Sequence, residues 1–497
     1  MPDCPAPAAT AWRHYPFTLV PEDPQFGFPA AEGYQNMASD TYYASGVLEG
    51  ESGNRYAFLT IFAKLGSVVG VGDLLHLNFH VFSLFDLQSG RYLTSSSFDS
   101  PGDRDDLNVA RGRLEVDYVN GVGQGASKLS HMRARRAGDG TLIPFAYELD
   151  LNASDILSAT EMRLNLCVDA LKPPQAVGGP ARNGRIRVVG QDGTGSYYQS
   201  LGYRGTLRWG EVAETVSSPV AGCGWLDRQW FPQYVGKYAG LAGQDFGHQW
   251  LQLALDNGWE FSLWRHFDRR ENYAVVEFSG LTATDPDGRT SFFDASGQQP
   301  EVEVEVLTYL RDPGSSDPLI RNVLSEYRYL FDACRIRVPL LGLDVVSRPL
   351  VAAPGHRLPV YYFSGPIGLQ GTMGSQAVAG YGFHERTLVL WRPWQLLDVL
   401  CGSLRHLPDA ALAGSGTTPA QLADLAAQAE PFLHLAFHYR RARAYLTTTV
   451  QPMLEMIGPD HRPRITRILD DLLDKITIGS QQTARLQTPM TGDRRVI

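Results

Sequence analysis

Apolar and polar residues alternate with a period of two along most of residues 36–390, and the pattern then shifts to helical spacing. The clearest case is Leu251-Gln252-Leu253-Ala254-Leu255 and Trp259-Glu260-Phe261-Ser262-Leu263-Trp264, joined by Asp256-Asn257-Gly258. Strand side chains point to opposite faces in turn, and Asn-Gly supplies left-handed turn residues, so this stretch predicts a β-hairpin. The same grammar occurs earlier. Thr41 to Leu48 reads as a strand, Glu49 to Asn54 as an acidic glycine turn, and Arg55 to Phe62 as a second strand. The echo predicts two similar β-domains in tandem. Val302-Glu303-Val304-Glu305-Val306 alternates strictly, and Gly365, Gly368, Gly371, Gly374, Gly380 and Gly382 read as marks of tight antiparallel turns.

Residues 99–106, 119–125 and 173–179 read as loops, and Ser217-Ser218-Pro219 reads as the linker into the second β-domain. Beyond Trp391-Arg392-Pro393-Trp394 the period changes. Thr418-Pro419-Ala420-Gln421 is a capping box with proline at the first helical position. Ile465, Ile468, Leu469, Leu472 and Ile476 fall on one side of a helix predicted over Arg464 to Ile476. The predicted order is an irregular arm (1–35), a β-domain (36–216), a second β-domain (217–390), a helical extension (391–480) and a loose tail (481–497). The helices could serve as a lid, a homodimer surface or a docking element.

At 497 residues the chain exceeds one ordinary core. Hydrophobic residues make up 43% and charged ones 20%, which describes a soluble globular protein. The 44 cationic and 53 acidic side chains give −9 without long runs of one sign, which argues against nucleic acid as a partner. Five scattered cysteines, with no Cys-x-x-Cys pair, suggest neither a disulfide framework nor a cysteine zinc site. Met1 to Phe17 lacks a charged head followed by an apolar run, and no window approaches a membrane span, so a cytoplasmic location is expected.

Chemistry concentrates in Gly222-Cys223-Gly224-Trp225-Leu226-Asp227-Arg228-Gln229-Trp230 and Gly247-His248-Gln249-Trp250. An acid, an amide, a cation, an imidazole and three indoles precede the mouth of the predicted hairpin. Asp227-Arg228 could instead be a plain ion pair, His248 a satisfied polar plug, and Trp225 and Trp230 barrel core. Upstream, His76, Asn78 and His80 share one face of a strand, which either holds a metal or lines a hydrogen-bonded barrel interior.

Ser196-Tyr197-Tyr198-Gln199-Ser200, Trp225 to Trp230, and Gly247 to Trp250 leading into Leu255-Asp256-Asn257-Gly258 resemble the carotenoid 1,2-hydratase (hydroxyneurosporene synthase) and AttH-like family. Tyr362-Phe363-Ser364-Gly365-Pro366 with Gly380 to Glu385 is similar to its closing motif, and Tyr42 to Leu48 to its opening strand. The resemblance spans roughly residues 40–390 and implies a mainly β fold of two tandem lipocalin-like antiparallel β-barrels, here with a C-terminal helical extension. It implies an apolar pocket at or between the barrels and no organic cofactor. Hydratases, cyclases and Diels–Alderases share the scaffold, so fold alone does not select the reaction. Ser364 stands where the family's closing motif usually has Glu, and His248-Gln249-Trp250 is nearer the hydratases' His-x-Trp form.

The expected partner is a hydrophobic polyene, isoprenoid or polyketide. Protonating an unactivated alkene needs a carboxylic acid kept neutral by its surroundings, and aromatic faces to shield the cation. Asp227, Asp268 and Glu385 are the candidate acids, and His248 could position water or relay a proton. Asp268 could equally be part of a charged turn. Trp225, Gln229, Trp230, Trp250, Trp264, Tyr198 and Tyr362 are the candidate substrate contacts. Cyclisation is the first expectation, hydration of a terminal isoprenoid double bond the alternative, and a non-catalytic lipid carrier the reading from another class.

Overall fold

The structure is a computed structural model. It describes residues 4, 7–37, 39–65, 78–99, 109–120, 128–155, 158, 160–188, 191–210, 216–232, 246–268, 274–275, 279–296, 300–309, 331–352, 355–357, 361–388, 393–405, 407–433 and 438–463. In the last helical stretch it describes 465–466, 468–470, 472–473 and 476–477.

Ten strands build the first antiparallel sheet: β1 Ser39–Gly50, β2 Arg55–Leu65, β3 Asn78–Asp86, β4 Tyr92–Asp99, β5 Glu115–Asn120, β6 Lys128–Arg136, β7 Leu142–Ser154, β8 Glu161–Ala170, β9 Gln191–Gly210 and β10 Val216–Phe231. Their order is β4-β3-β2-β1-β10-β9-β8-β7-β6-β5, with two short strands added on β9. The second sheet contains β11 Phe246–Leu255, β12 Glu260–Asp268, β13 Gly280–Thr284, β14 Thr290–Asp294, β15 Glu303–Tyr309, β16 Phe331–Val338, β17 Leu343–Pro349, β18 Tyr361–Met373 and β19 Gln376–Leu388. Its order is β14-β13-β12-β11-β19-β18-β17-β16-β15. Both sheets curl into half-barrels, as tandem lipocalin-like barrels require.

Alternation sends every second side chain into one of two cores. On β1, Tyr42, Ala44 and Leu48 pack inside the first sheet, whereas Tyr43 and Val47 belong to a separate cluster with Trp250, Trp264 and Phe383 of the second. Leu251, Leu253 and Leu255 of β11 fill the second sheet's interior. The inter-sheet layer is therefore built by the odd-numbered face of β1 and the even-numbered face of β11. Polar bridges tie it: Ser45 Oγ donates to Gln252 Oε1 at 3.0 Å, and Lys172 Nζ pairs with Glu260 at 3.2 Å.

The predicted hairpin forms with Gly258 at φ 86° in its turn, and Leu255 N–H donates to the Trp259 carbonyl at 2.9 Å. Other expectations need correction. Ser217-Ser218-Pro219 is not a linker: it begins β10, a central strand of the first sheet that pairs with β9 and β1. Pairing with β1 starts only at Val220, so the proline's missing N–H is not required on that side. Gly371, Gly380 and Gly382 lie inside β18 and β19 rather than in turns, where a Cβ would strike the carbonyls of Asp344, Ala254 and Gln252.

The described residues of the N-terminal arm pack into the first half-barrel. Trp12, Tyr15, Phe17 and Phe28 surround Phe145 at ring-centroid distances of 5.2, 4.9, 5.5 and 5.4 Å. A disulfide joins Cys4 of the arm to Cys167 of β8, across 163 residues of sequence. Cysteine spacing gave no sign of it, because the bond depends on the arm folding back.

The helical region includes α1 Pro393–Arg405, α2 Pro419–Ala427, α3 Tyr439–Tyr445 and α4 Gln451–Leu454. The capping box closes on α2: Gln421 N–H donates to Thr418 Oγ1 at 3.2 Å and Thr418 N–H to Gln421 Oε1 at 2.9 Å. Ile465, Ile468, Leu469, Leu472 and Ile476 are buried with Leu400, Leu404 and Leu422 in a core of their own. No helix among the described residues is long and apolar enough to cross a membrane.

Candidate active site

Strand register assembles the site. On the first sheet, Asp227 of β10 lies between Tyr198 of β9 and Tyr43 of β1. On the second, Trp264, Trp250, Glu385 and Ser364 form one row across β12, β11, β19 and β18. The two rows meet in the inter-sheet layer. Tyr43 Oη lies 3.3 Å from Ser364 Oγ, and the Tyr43 ring meets Trp250 edge-on at 5.3 Å. Trp250 stacks on Trp264 at 5.0 Å, and both indole N–H groups donate to Ser262 Oγ, at 2.8 and 3.2 Å.

Asp227 is 1% exposed. Burial holds its carboxyl well above the usual range, and the nearby charge of Glu385 pushes in the same direction. Gln229, donating from Nε2 to Asp227 Oδ2 at 2.5 Å, and the charge of Arg228 only partly oppose this. The Ser196 hydroxyl lies near the carboxyl and also opposes the shift, although Oδ1 closes no well-formed hydrogen bond among the described residues. The result is a carboxyl whose neutral form burial favours, level in the register with Tyr43 and within reach of the charge of Glu385. Tyr43, raised first by burial and then by Glu385, keeps its proton.

Arg228 is not Asp227's ion-pair partner. It points to the opposite face of β10, into the first half-barrel, where it donates to Asp40 Oδ1 at 2.8 Å and lies over the Tyr42 ring at 3.8 Å. Trp230 shares that face, packing on Phe26 at 5.1 Å, so it is core and not a contact of this site. Trp225, Gln229, Trp250, Trp264 and Tyr198 are buried, and four of them sit in the inter-sheet cluster itself; Gln229 reaches the site by its bond to Asp227. Tyr198 Oη is 2.6 Å from Thr284 Oγ1 of β13. The backbones of His248, Asp268 and Tyr362 lie in β11, β12 and β18, and their side chains fall outside the described residues.

His80 lines the first half-barrel's interior, stacked on Tyr118 at 5.5 Å. Its Nε2 is 3.1 Å from Thr60 Oγ1 and its Nδ1 3.0 Å from Asn120 Oδ1, which satisfies both nitrogens, and burial lowers its pKa to about 3. Among the described residues no group of three or more His, Cys, Asp or Glu could hold a metal. His76 lies outside them.

A family model described as AttH-like matches residues 19–387. The chain belongs to the AttH-like family. The crystal structure of an AttH-type protein from Nitrosomonas europaea superposes with a TM-score of 0.51 at 19% identity, covering 74% of this chain and 98% of that one. Kievitone hydratase from Nectria haematococca gives 0.47 at 15%, covering 73% and 93%. CghA with Sch210972 gives 0.43 at 13%, covering 71% and 89%. No curated protein matches the sequence. The first of these likenesses supports the fold, and the fold places one departure of this AttH-like chain in context. Ser364 occupies the position where the motif usually has an acid, and Glu385 lies directly opposite it on β19. The layer keeps a carboxyl at that level, one strand over.

Sequence reasoning missed Tyr43 and Ser364 as site members. Tyr42 and Tyr43 are adjacent aromatics that must face opposite ways, and nothing in their spacing says which faces the second sheet.

Proposed function

We propose that this AttH-like protein is an enzyme acting on a hydrophobic small molecule between its two sheets, and that the reaction is acid-initiated addition of water to a carbon–carbon double bond. The observation that carries this reading is Asp227: an enclosed carboxyl held neutral by burial, beside a second carboxyl and aromatic faces. Asp227 donates its proton to the less substituted alkene carbon, and the π-electrons form the new C–H bond. The cation that results is shielded by Tyr43 and Trp250. Water attacks it, and Glu385 takes the proton that water releases. The sum is one water added, with the proton returning from Glu385 to Asp227 through solvent.

This ordering places hydration ahead of cyclisation. A pericyclic closure needs shape and a hydrogen-bond donor, not a neutral acid paired with a second carboxyl. An acid-initiated cyclisation would use the same first step and differ only in which nucleophile captures the cation.

The test is incubation with terminal isoprenoid alkenes in ¹⁸O-labelled water, read by mass spectrometry. Hydration predicts a product heavier by one labelled water, formed by wild type and lost in Asp227→Asn. A product of unchanged mass with fewer double bonds would establish cyclisation instead, and unchanged substrate retained through gel filtration would establish a carrier.

A further inference from the structure

Ser196 of β9 stands directly opposite Gln229 of β10, and Tyr198, two residues on, stands opposite Asp227. Alternation puts all four side chains on the face that meets the second sheet. The Ser196 N–H donates to the Gly184 carbonyl at 2.8 Å, and its carbonyl accepts from the Val177 N–H at 3.1 Å. Both bonds point away from β10, so Ser196 and Gln229 form a non-hydrogen-bonded pair, the kind in which antiparallel side chains stand closest. Gln229 reaches along its own strand to Asp227 Oδ2 at 2.5 Å. The Ser196 hydroxyl comes close enough to the same carboxyl to favour its ionised form, against the dominant effect of burial.

Ser196 is completely buried, and among the described residues neither its Oγ nor Asp227 Oδ1 closes a well-formed hydrogen bond. The phenols level with Asp227 are committed elsewhere: Tyr198 Oη lies 2.6 Å from Thr284 Oγ1, and Tyr43 Oη lies 3.3 Å from Ser364 Oγ. Buried polar atoms are seldom left unpaired, so two neighbouring ones call for an explanation. Protonation supplies it. The Gln229 amide donates to Oδ2, which favours Oδ2 as the carbonyl oxygen of the neutral acid and leaves the proton on Oδ1. A hydroxyl-type Oδ1 is a poor acceptor. Once its proton leaves, Oδ1 becomes a strong one, and a serine hydroxyl can rotate to meet it.

We infer that Ser196 is a positioning residue for Asp227, its hydroxyl closing on Oδ1 as the proton passes to the alkene carbon, so that the carboxylate is held by one donor on each oxygen. The inference rests on Asp227 as the proton donor of the proposed hydration. Ser196 neither gains nor loses a proton and touches no substrate. Its bond strengthens only as negative charge develops on Oδ1, so it assists the chemical step and not binding.

The experiment compares steady-state kinetics on terminal isoprenoid alkenes for wild type, Ser196→Ala and Ser196→Thr. Ser196→Ala should lower kcat roughly tenfold or more, as loss of a hydrogen bond to a charged group does, with KM unchanged. It also removes a group that favours the carboxylate, so the alkaline limb of its pH–rate profile should move to higher pH. Ser196→Thr keeps the hydroxyl and should restore both. Ser196→Cys, close to serine in size but a much weaker donor, should behave as Ser196→Ala and carries the comparison if that variant fails to fold. An unchanged kcat and alkaline limb in the alanine or cysteine variant, or a threonine variant as impaired as they are, overturns the inference. Wild type lacking the protonated-carboxyl infrared band of Asp227 would overturn the acid itself, and Ser196's role with it; the band present beside an unaffected Ser196→Ala overturns the role of Ser196 alone.

Discussion

Residues 225–230 serve two environments from one strand. Trp225, Asp227 and Gln229 face the second sheet, while Leu226, Arg228 and Trp230 face the first half-barrel. The neighbours of Asp227 make opposed predictions about its proton. Gln229→Leu removes the donor that favours the carboxylate, so the alkaline limb of the pH–rate profile should move to higher pH. Glu385→Gln removes the negative neighbour and should move that limb to lower pH, while also slowing turnover about 10²–10⁴-fold if Glu385 is the base. Shifts in the same direction would contradict the assignment. Glu32 of the arm is a second buried acid, accepting from Tyr15 at 2.6 Å and Tyr147 at 2.8 Å, and burial pushes its pKa up to about 7. Its folded pKa exceeds the unfolded one, so its contribution to stability is fully present below about pH 4.5 and is lost as pH rises through about 7. Denaturant titrations of Glu32→Gln should lack that decline, and an unchanged pH dependence would contradict the burial account.

At the scale of elements, the sequence was legible wherever a local rule acts. Asp256-Asn257-Gly258 and the Thr418–Gln421 capping box appear as read. What stayed hidden was the destination of each face. Strands that bury one side in a half-barrel and the other against a second sheet are apolar on both, so alternation finds the strand without telling its two sides apart. That is why Trp230 read as a substrate contact alongside Trp225. The glycines misread as turns also have a cause that only pairing reveals, a carbonyl close by on the neighbouring strand, and the same crowding holds on β10, where a Cβ at Gly222 or Gly224 would meet the carbonyls of Val47 and Ser45 on β1. Gly224→Ala should accordingly cost about 1–3 kcal/mol in chemical denaturation, as overpacking does. A neutral result would mean that β1 and β10 can separate without penalty.

For the whole molecule, long-range closure was the least legible feature. The tandem β architecture followed from repeated patterning and the family's motifs, but the Cys4–Cys167 bond and the packing of the arm around Phe145 join distant positions that no spacing connects. Closing a loop of 163 residues constrains the unfolded chain by about 5 kcal/mol in the chain-entropy account. Reduction, or Cys167→Ser, should therefore lower the melting temperature, and identical melting with and without reductant would contradict a stabilising bond. Acid-initiated hydration requires a neutral Asp227 between the sheets. The most direct measurement is the infrared carbonyl difference spectrum of wild type minus Asp227→Asn at neutral pH. A neutral Asp227 predicts a protonated-carboxyl band present only in wild type; a carboxylate band in its place would contradict the proposed acid.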